Sequence, residues 1–176
     1  MDRTTLKRNQ IHAAFELLHR ENRLAALAVE QIMTVNPFCV ARNETAYDLV
    51  KMVHANCFRH LLVSDGDELV GVISDRDIIL CFDFHTPPSN EHLKTITAAD
   101  LMSTDLITVG PLTPVVEAIR LMIDCGINCL PVVLEKRPVG ILTSTDMFLT
   151  LEQLLTTLRA SRPAATAQGK KQSQRS

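Results

Sequence analysis

Two runs of the sequence pair a hydroxyl with an acid at a spacing that could do chemistry. VGVISDRDI, Val70 to Ile78, carries Ser74 and Asp77, and VGILTSTDM, Val139 to Met147, carries Thr143 and Asp146. In each, an apolar stretch ends on Ser or Thr and an acid follows three residues later, where a helix would begin. One reading is local. The hydroxyl caps the amide three residues on, and the acid reaches back to the amide of the capping residue. The other is a binding site. A helix start with its hydroxyl and amide N–H groups suits a phosphate, while a carboxylate suits the vicinal hydroxyls of a ribose. Arg76 adds a guanidinium for phosphate in the first run, where the second has Thr145. Both readings use the same residues, so the choice depends on what stands opposite them.

The elements that must position these residues recur. A shift of 69 residues, without gaps, lays IMTVNPFCV on LMSTDLITV, HLLV on CLPV and the first run on the second. In the first unit FCVA reads as a strand. Ala46, Leu49, Val50 and Val53 fall on one face of a helix over about 44–56, with Asn43 as its N-cap. HLLVS and ELVGVIS form a hairpin around DGD, and a second helix starts near Asp75. The order is β-α-β-β-α. The second unit repeats it, with Thr113 and Pro114 at N-cap and N1 and Gly126 at the helix end. Each unit is too small to bury a sheet and two helices alone, which predicts two units packed on one shared core.

Composition narrows the function classes. At 46% hydrophobic residues with a net charge of −2 and no Trp, the chain reads as soluble, with an aliphatic core and no global bias toward nucleic acid or membrane. No apolar run approaches the roughly 20 residues that span a bilayer. The opening MDRTTLKRNQ has no signal-peptide apolar region, so the expectation is cytoplasmic. Cys39, Cys57, Cys81, Cys125 and Cys129 lie in apolar segments without a C-x-x-C pattern. They read as reduced thiols, with Cys125 and Cys129 as metal ligands the lesser alternative. His54, His85 and His92 match no metal-ligand spacing, and no nucleophile elbow, Walker sequence or HExxH is present.

The repeat, CLPVV and the two VG-apolar-apolar-(S/T)-x-x-D endings resemble a stand-alone cystathionine-β-synthase (CBS) domain pair, or Bateman module, over about residues 29–155. The resemblance implies an α/β (α+β) fold of tandem repeats packed with pseudo-twofold symmetry. It implies a regulatory, energy-sensing role without catalysis or a required cofactor, and a homodimer formed through helices. Its clefts would take AMP, ADP or ATP, with S-adenosylmethionine or NAD as other adenosine ligands. The regulated protein partner is not identified by it.

Each cleft would mix the repeats. Cleft A would join Thr143, Thr145 and Asp146 to Phe38, Arg59 and His60. Cleft B would join Ser74, Arg76 and Asp77 to Ile107, Asn128 and Cys129. By this resemblance Asp146 and Asp77 hold ribose, and Thr143, Ser74 and Arg76 approach phosphate. Phe38 and Ile107 flank the base, though Phe38 could equally fill the cleft. Arg76 would make cleft B the better phosphate binder, leaving cleft A to Arg59 or to a less charged ligand. Leu62 stands where the second unit has Pro131, the family's more usual residue.

The implied division is an N-terminal helix over 1–28, repeats over 29–84 and 98–160, a linker over 85–97 and a disordered tail over 161–176. The helix over 4–28 lies outside the repeat, with Leu6, Ile11, Phe15, Leu18 and Ala25 apolar. It serves either a partner or a dimer contact, or packs on its own pair or its dimer mate. Lys170, Lys171 and Arg175 give the tail basic charge, read as solubilising rather than nucleic-acid binding.

Overall fold

A computed structural model describes residues 3–20, 26–80 and 88–160. The expectations for Ala25, Cys81, His85 and the tail concern residues outside these. The elements run α1 (Arg3–Arg20), α2 (Val29–Ile32), β1 (Thr34–Val35), β2 (Cys39–Ala41), α3 (Ala46–Asn56), β3 (His60–Asp65), β4 (Glu68–Ser74) and α4 (Asp75–Leu80). They continue through α5 (Asn90–Leu93), α6 (Ala98–Leu101), α7 (Val115–Asp124), β5 (Cys129–Leu134), β6 (Arg137–Thr143) and α8 (Ser144–Ala160).

The hairpins form where apolar strands flank short polar turns. β3 pairs antiparallel with β4, setting His60 opposite Ser74, and β5 pairs with β6, setting Cys129 opposite Thr143. His60 and Cys129 are thus equivalent, each beside the hydroxyl of its own repeat.

The repeats exchange their opening segments. β1, from the first repeat, pairs antiparallel with β6 of the second, Thr34 opposite Ile141. Ser103, the counterpart of Thr34, bridges Val72 on β4 through backbone hydrogen bonds of 2.9 and 3.1 Å. The two glycines of the VG runs make room for this exchange. A Cβ on Gly71 would lie 2.8 Å from Cβ of Met102, and a Cβ on Gly140 would run into the Met33 side chain. Each methionine therefore packs on the sheet of the repeat it does not belong to.

This exchange changes three expectations. Instead of one shared core there are two buried clusters, because each sheet is closed by its own helices plus the other repeat's opening segment. Leu49, Leu61, Val63 and Ile73 gather with Ala98, while Leu130, Val132 and Leu142 gather with Val29, Ile32 and Met33. The first long helix of the first repeat begins at Ala46, not Glu44, with Thr45 rather than Asn43 as N-cap. The Thr45 hydroxyl accepts from the Asp48 amide at 3.2 Å, and Glu44 is drawn out of the helix by the Ala98 amide, which donates to its carbonyl at 2.8 Å. In the second repeat the N-cap is Pro114, not Thr113, and Val115 begins the helix, its amide bound to the Leu27 carbonyl at 2.9 Å. At the other end Gly126 takes φ 65° and its amide donates back to Ile123, as expected of a helix terminator. Its counterpart, Cys57, adopts the same left-handed conformation with φ 53°.

The N-terminal helix packs on its own chain. Ile11, Phe15 and Leu18 enter the second repeat's core, and Gln10 donates to the carbonyls of Gln31 and Met33. Leu6, expected on the apolar face, is exposed, because the contact face runs through Lys7 and Ile11 instead. The helix does not continue to residue 28. Ala28 is extended and bridges Pro114.

Candidate functional site: two clefts between the repeats

The exchange brings the end of each second hairpin strand opposite the other repeat, and a cleft opens at each junction. Each has a volume of about 400 Å³, within the range of small-molecule sites. The first brings together all six residues expected for cleft A: Phe38, Arg59, His60, Thr143, Thr145 and Asp146. The second brings together all six expected for cleft B: Ser74, Arg76, Asp77, Ile107, Asn128 and Cys129. Arg59 and His60 line both clefts, so the two share a wall.

The capping geometry is present in both. Oδ2 of Asp77 accepts from the Ser74 amide at 2.7 Å and from the Ser74 hydroxyl at 2.6 Å. Oδ2 of Asp146 accepts from the Thr143 amide at 2.7 Å and the Thr143 hydroxyl at 2.8 Å. The following amides are also taken, Asp75 donating to the Arg59 carbonyl and Ser144 to the Asn128 carbonyl. This narrows the expected phosphate roles of Ser74 and Thr143. Their hydroxyl protons already point at the acids, and the nearest amides are satisfied within the fold. A phosphate must be met chiefly by cationic side chains.

Those cations are distributed unevenly. Cleft A is lined by Arg3, Lys7 and Arg59 against Asp146. Cleft B is lined by Arg59 and Arg76 against Asp75, Asp77 and Asp105. The lining charge thus favours an anion in cleft A, the reverse of what Arg76 alone suggests. Arg59 is itself bound to Asp75 at 3.3 Å on the surface between the clefts.

Sequence reasoning missed the contribution of α1, because nothing in the repeat marks it. Lys7 Nζ lies 3.1 Å from Asp146 Oδ1, with side chains 10% and 5% exposed, and donates to the Thr34 hydroxyl at 3.1 Å. Asp146 is the buried charged residue among those described. Burial holds the Lys7 ammonium below its ordinary pKa, although the Asp146 charge and hydrogen bond oppose that shift. Arg3 stands 4.5 Å over the ring of Phe58, which packs on Phe38 with centroids 5.4 Å apart. Phe38 keeps an exposed face at the cleft.

His60 is held below its usual pKa by burial, with Asp75 and Asp77 pulling the other way. Neutral, it offers one donor and one acceptor nitrogen at the shared wall. Cys129 is buried, and burial pushes its thiol up to about 12, so it lines cleft B as an apolar group rather than a nucleophile. Among the described residues no three His, Cys, Asp or Glu side chains gather as a metal site, and no helix is long and apolar enough to cross a membrane.

Two interleaved repeats with a small-molecule cleft at each junction define a paired-repeat ligand-binding module. The CBS domain family model matches residues 29–83 and 98–153, and the chain belongs to that family. A CBS domain-containing protein of Dictyostelium discoideum is 32% identical over 134 residues, 72% of this chain and 92% of the relative. Among solved structures, CBSX2 in complex with AMP is 26% identical with a TM-score of 0.60, covering 75% of this chain and 98% of that one. The CBS domain pair of protein MJ0100, in complex with 5′-methylthioadenosine and S-adenosyl-L-methionine, is 26% identical with a TM-score of 0.60. It covers 69% of this chain and 97% of that one.

Proposed function

We propose that the chain is a regulatory sensor that binds an adenosine-containing ligand, AMP, ADP or ATP, in one or both clefts. The observation that carries this reading is the convergence, from both repeats, of an acid, a neutral histidine and an apolar flank on each of two clefts of nucleoside size. Asp146 and Asp77 take the ribose hydroxyls, while Phe38 and Ile107 flank the base. Arg59 and His60 serve the shared wall, with Asn128 and Cys129 closing cleft B. Thr145 and Arg76 stand at the phosphate ends. The adenosine ligands carried by the two related structures support the ligand class. S-adenosylmethionine and NAD are the other candidates to test.

The sensor is not an enzyme. It acts in the cytoplasm, where the thiols of Cys39, Cys57, Cys125 and Cys129 stay reduced. It works as a homodimer that passes a change of shape to its interface or to a protein partner. Exposed apolar side chains on the outer helices, Ile123 on α7 and Phe148 and Leu155 on α8, support that interface. We divide the chain into an N-terminal segment over 1–28 that carries α1, repeats over 29–84 and 98–160, and a connecting segment over 85–97. Titration calorimetry with AMP, ATP, NAD and S-adenosylmethionine tests the reading. Saturable binding of one of them is expected, and no heat and no melting shift with any would overturn it.

A second reading has its own support. Both acids are already engaged as caps, and Asp146 is also paired with Lys7. A structural adaptor with non-functional clefts would look the same at these atoms, and it predicts the null titration.

A further inference from the structure

We propose that Lys7 is a specificity-determining residue of cleft A, selecting a phosphorylated ligand over an unphosphorylated nucleoside. This rests on the reading of cleft A as an adenosine site. Oδ2 of Asp146 is held by Thr143, so a ribose diol must dock on Oδ1, the oxygen bound by Lys7 at 3.1 Å. Docking therefore competes with the ammonium for that oxygen and weakens its pairing with Asp146.

The ammonium has little room to retreat to water. Its side chain is 10% exposed, and α1 is anchored within one turn by Gln10 on the Gln31 and Met33 carbonyls and by buried Ile11. A buried ammonium without an anion is strongly disfavoured. A nucleoside draws on the carboxylate and supplies nothing in return. A nucleotide draws on the carboxylate and returns a phosphate, to which Lys7 transfers, with Arg3 and Arg59 on the same lining. The α1 side chains Arg3, Thr4 and Lys7 line cleft A and are absent from the lining of cleft B, so the selection belongs to one cleft only.

The experiment uses the full chain carrying Asp77→Ala, which silences cleft B. Adenosine, AMP and ATP are titrated into it with and without Lys7→Met, which keeps the aliphatic stem. Lys7→Gln serves as a second neutral variant should Lys7→Met fold poorly, judged by circular dichroism melting. Loss of the ammonium is expected to tighten adenosine and weaken AMP and ATP. The AMP-over-adenosine preference should fall by about tenfold or more, the size of one charge-assisted hydrogen bond. Lys7→Arg is expected to keep the preference. A preference unchanged by both neutral variants overturns this inference while leaving the adenosine site standing. No binding of the three compounds to the native chain overturns both.

Discussion

At the scale of single residues, the two acids share one motif but not one environment. Asp77 is half-buried where it lines its cleft, whereas Asp146 is 3% exposed and holds the Lys7 ammonium, whose side chain is 10% exposed. Asp77→Ala is therefore expected to cost about 1 kcal/mol of stability, the value of a helix cap. Asp146→Ala should cost more, about 3–5 kcal/mol, because it strands Lys7 as a mostly buried charge without its partner. Urea denaturation of the two variants checks the difference, and adding Lys7→Met to Asp146→Ala should recover part of the loss.

His60 gives a pH dependence of definite sign. Its folded pKa is lowered by burial, so the unfolded chain takes up the proton first as pH falls. Its contribution is complete above the unfolded value of about 6.5 and is lost as pH falls from there through the lower folded value. Denaturation midpoints measured on either side of pH 6 should fall less in His60→Gln than in the native protein. The capping chemistry of Ser74 and Thr143 was legible from spacing alone. What Lys7 does to Asp146 was not, because a lysine in a helix outside the repeat carries no mark of where its tip arrives.

At the scale of elements, the hairpins and the first long helix of each repeat follow from apolar periodicity and turn chemistry, and the sequence predicts them within a residue or two. The N-terminal helix, expected to residue 28, instead gives way to extended backbone at Ala28. The shifted starts of α3 and α7 come from tertiary pairing. The Glu44 carbonyl accepts from Ala98 of the second repeat just before α3, and the Leu27 carbonyl, from the segment ahead of the first repeat, accepts from Val115 at the start of α7. The exchange of opening segments was not legible either, since β1 is two residues long and its partner lies in the other repeat. Its trace in the sequence is the pair Gly71 and Gly140, which read as ordinary strand glycines until Met102 and Met33 are seen against them. Gly71→Val and Gly140→Val should each cost about 1–3 kcal/mol through overpacking, measured by thermal or urea denaturation. Substituting the facing methionine with Ala should recover part of that loss. Without exchange, Gly71→Val would be nearly neutral.

At the scale of the whole molecule, the internal repeat makes two clefts from one plan, and α1 makes them unequal. It seals part of cleft A, adds Arg3 and Lys7 to its wall and leaves cleft B open to acids. A switch draws its energy from differential affinity between two states. Weakening the pairing of Lys7 with Asp146 is such a difference, made at the point where α1 meets α8, which also pair through Arg8 and Glu152 at 3.0 Å. Sedimentation velocity should find a dimer for the native chain, and Ile123→Asp together with Phe148→Asp should shift it to monomer without loss of helical signal.

The central claim is that the clefts hold an adenosine ligand on these two acids. Titration calorimetry of AMP and ATP tests it most directly, using the native chain, Asp77→Ala and Asp146→Asn, the last keeping a side chain of the same shape. Binding to the native chain is predicted, with each variant losing one site and the lost site weakened by roughly 1.5–3 kcal/mol. A native chain that gives no heat, or variants that bind as the native chain does, would contradict it.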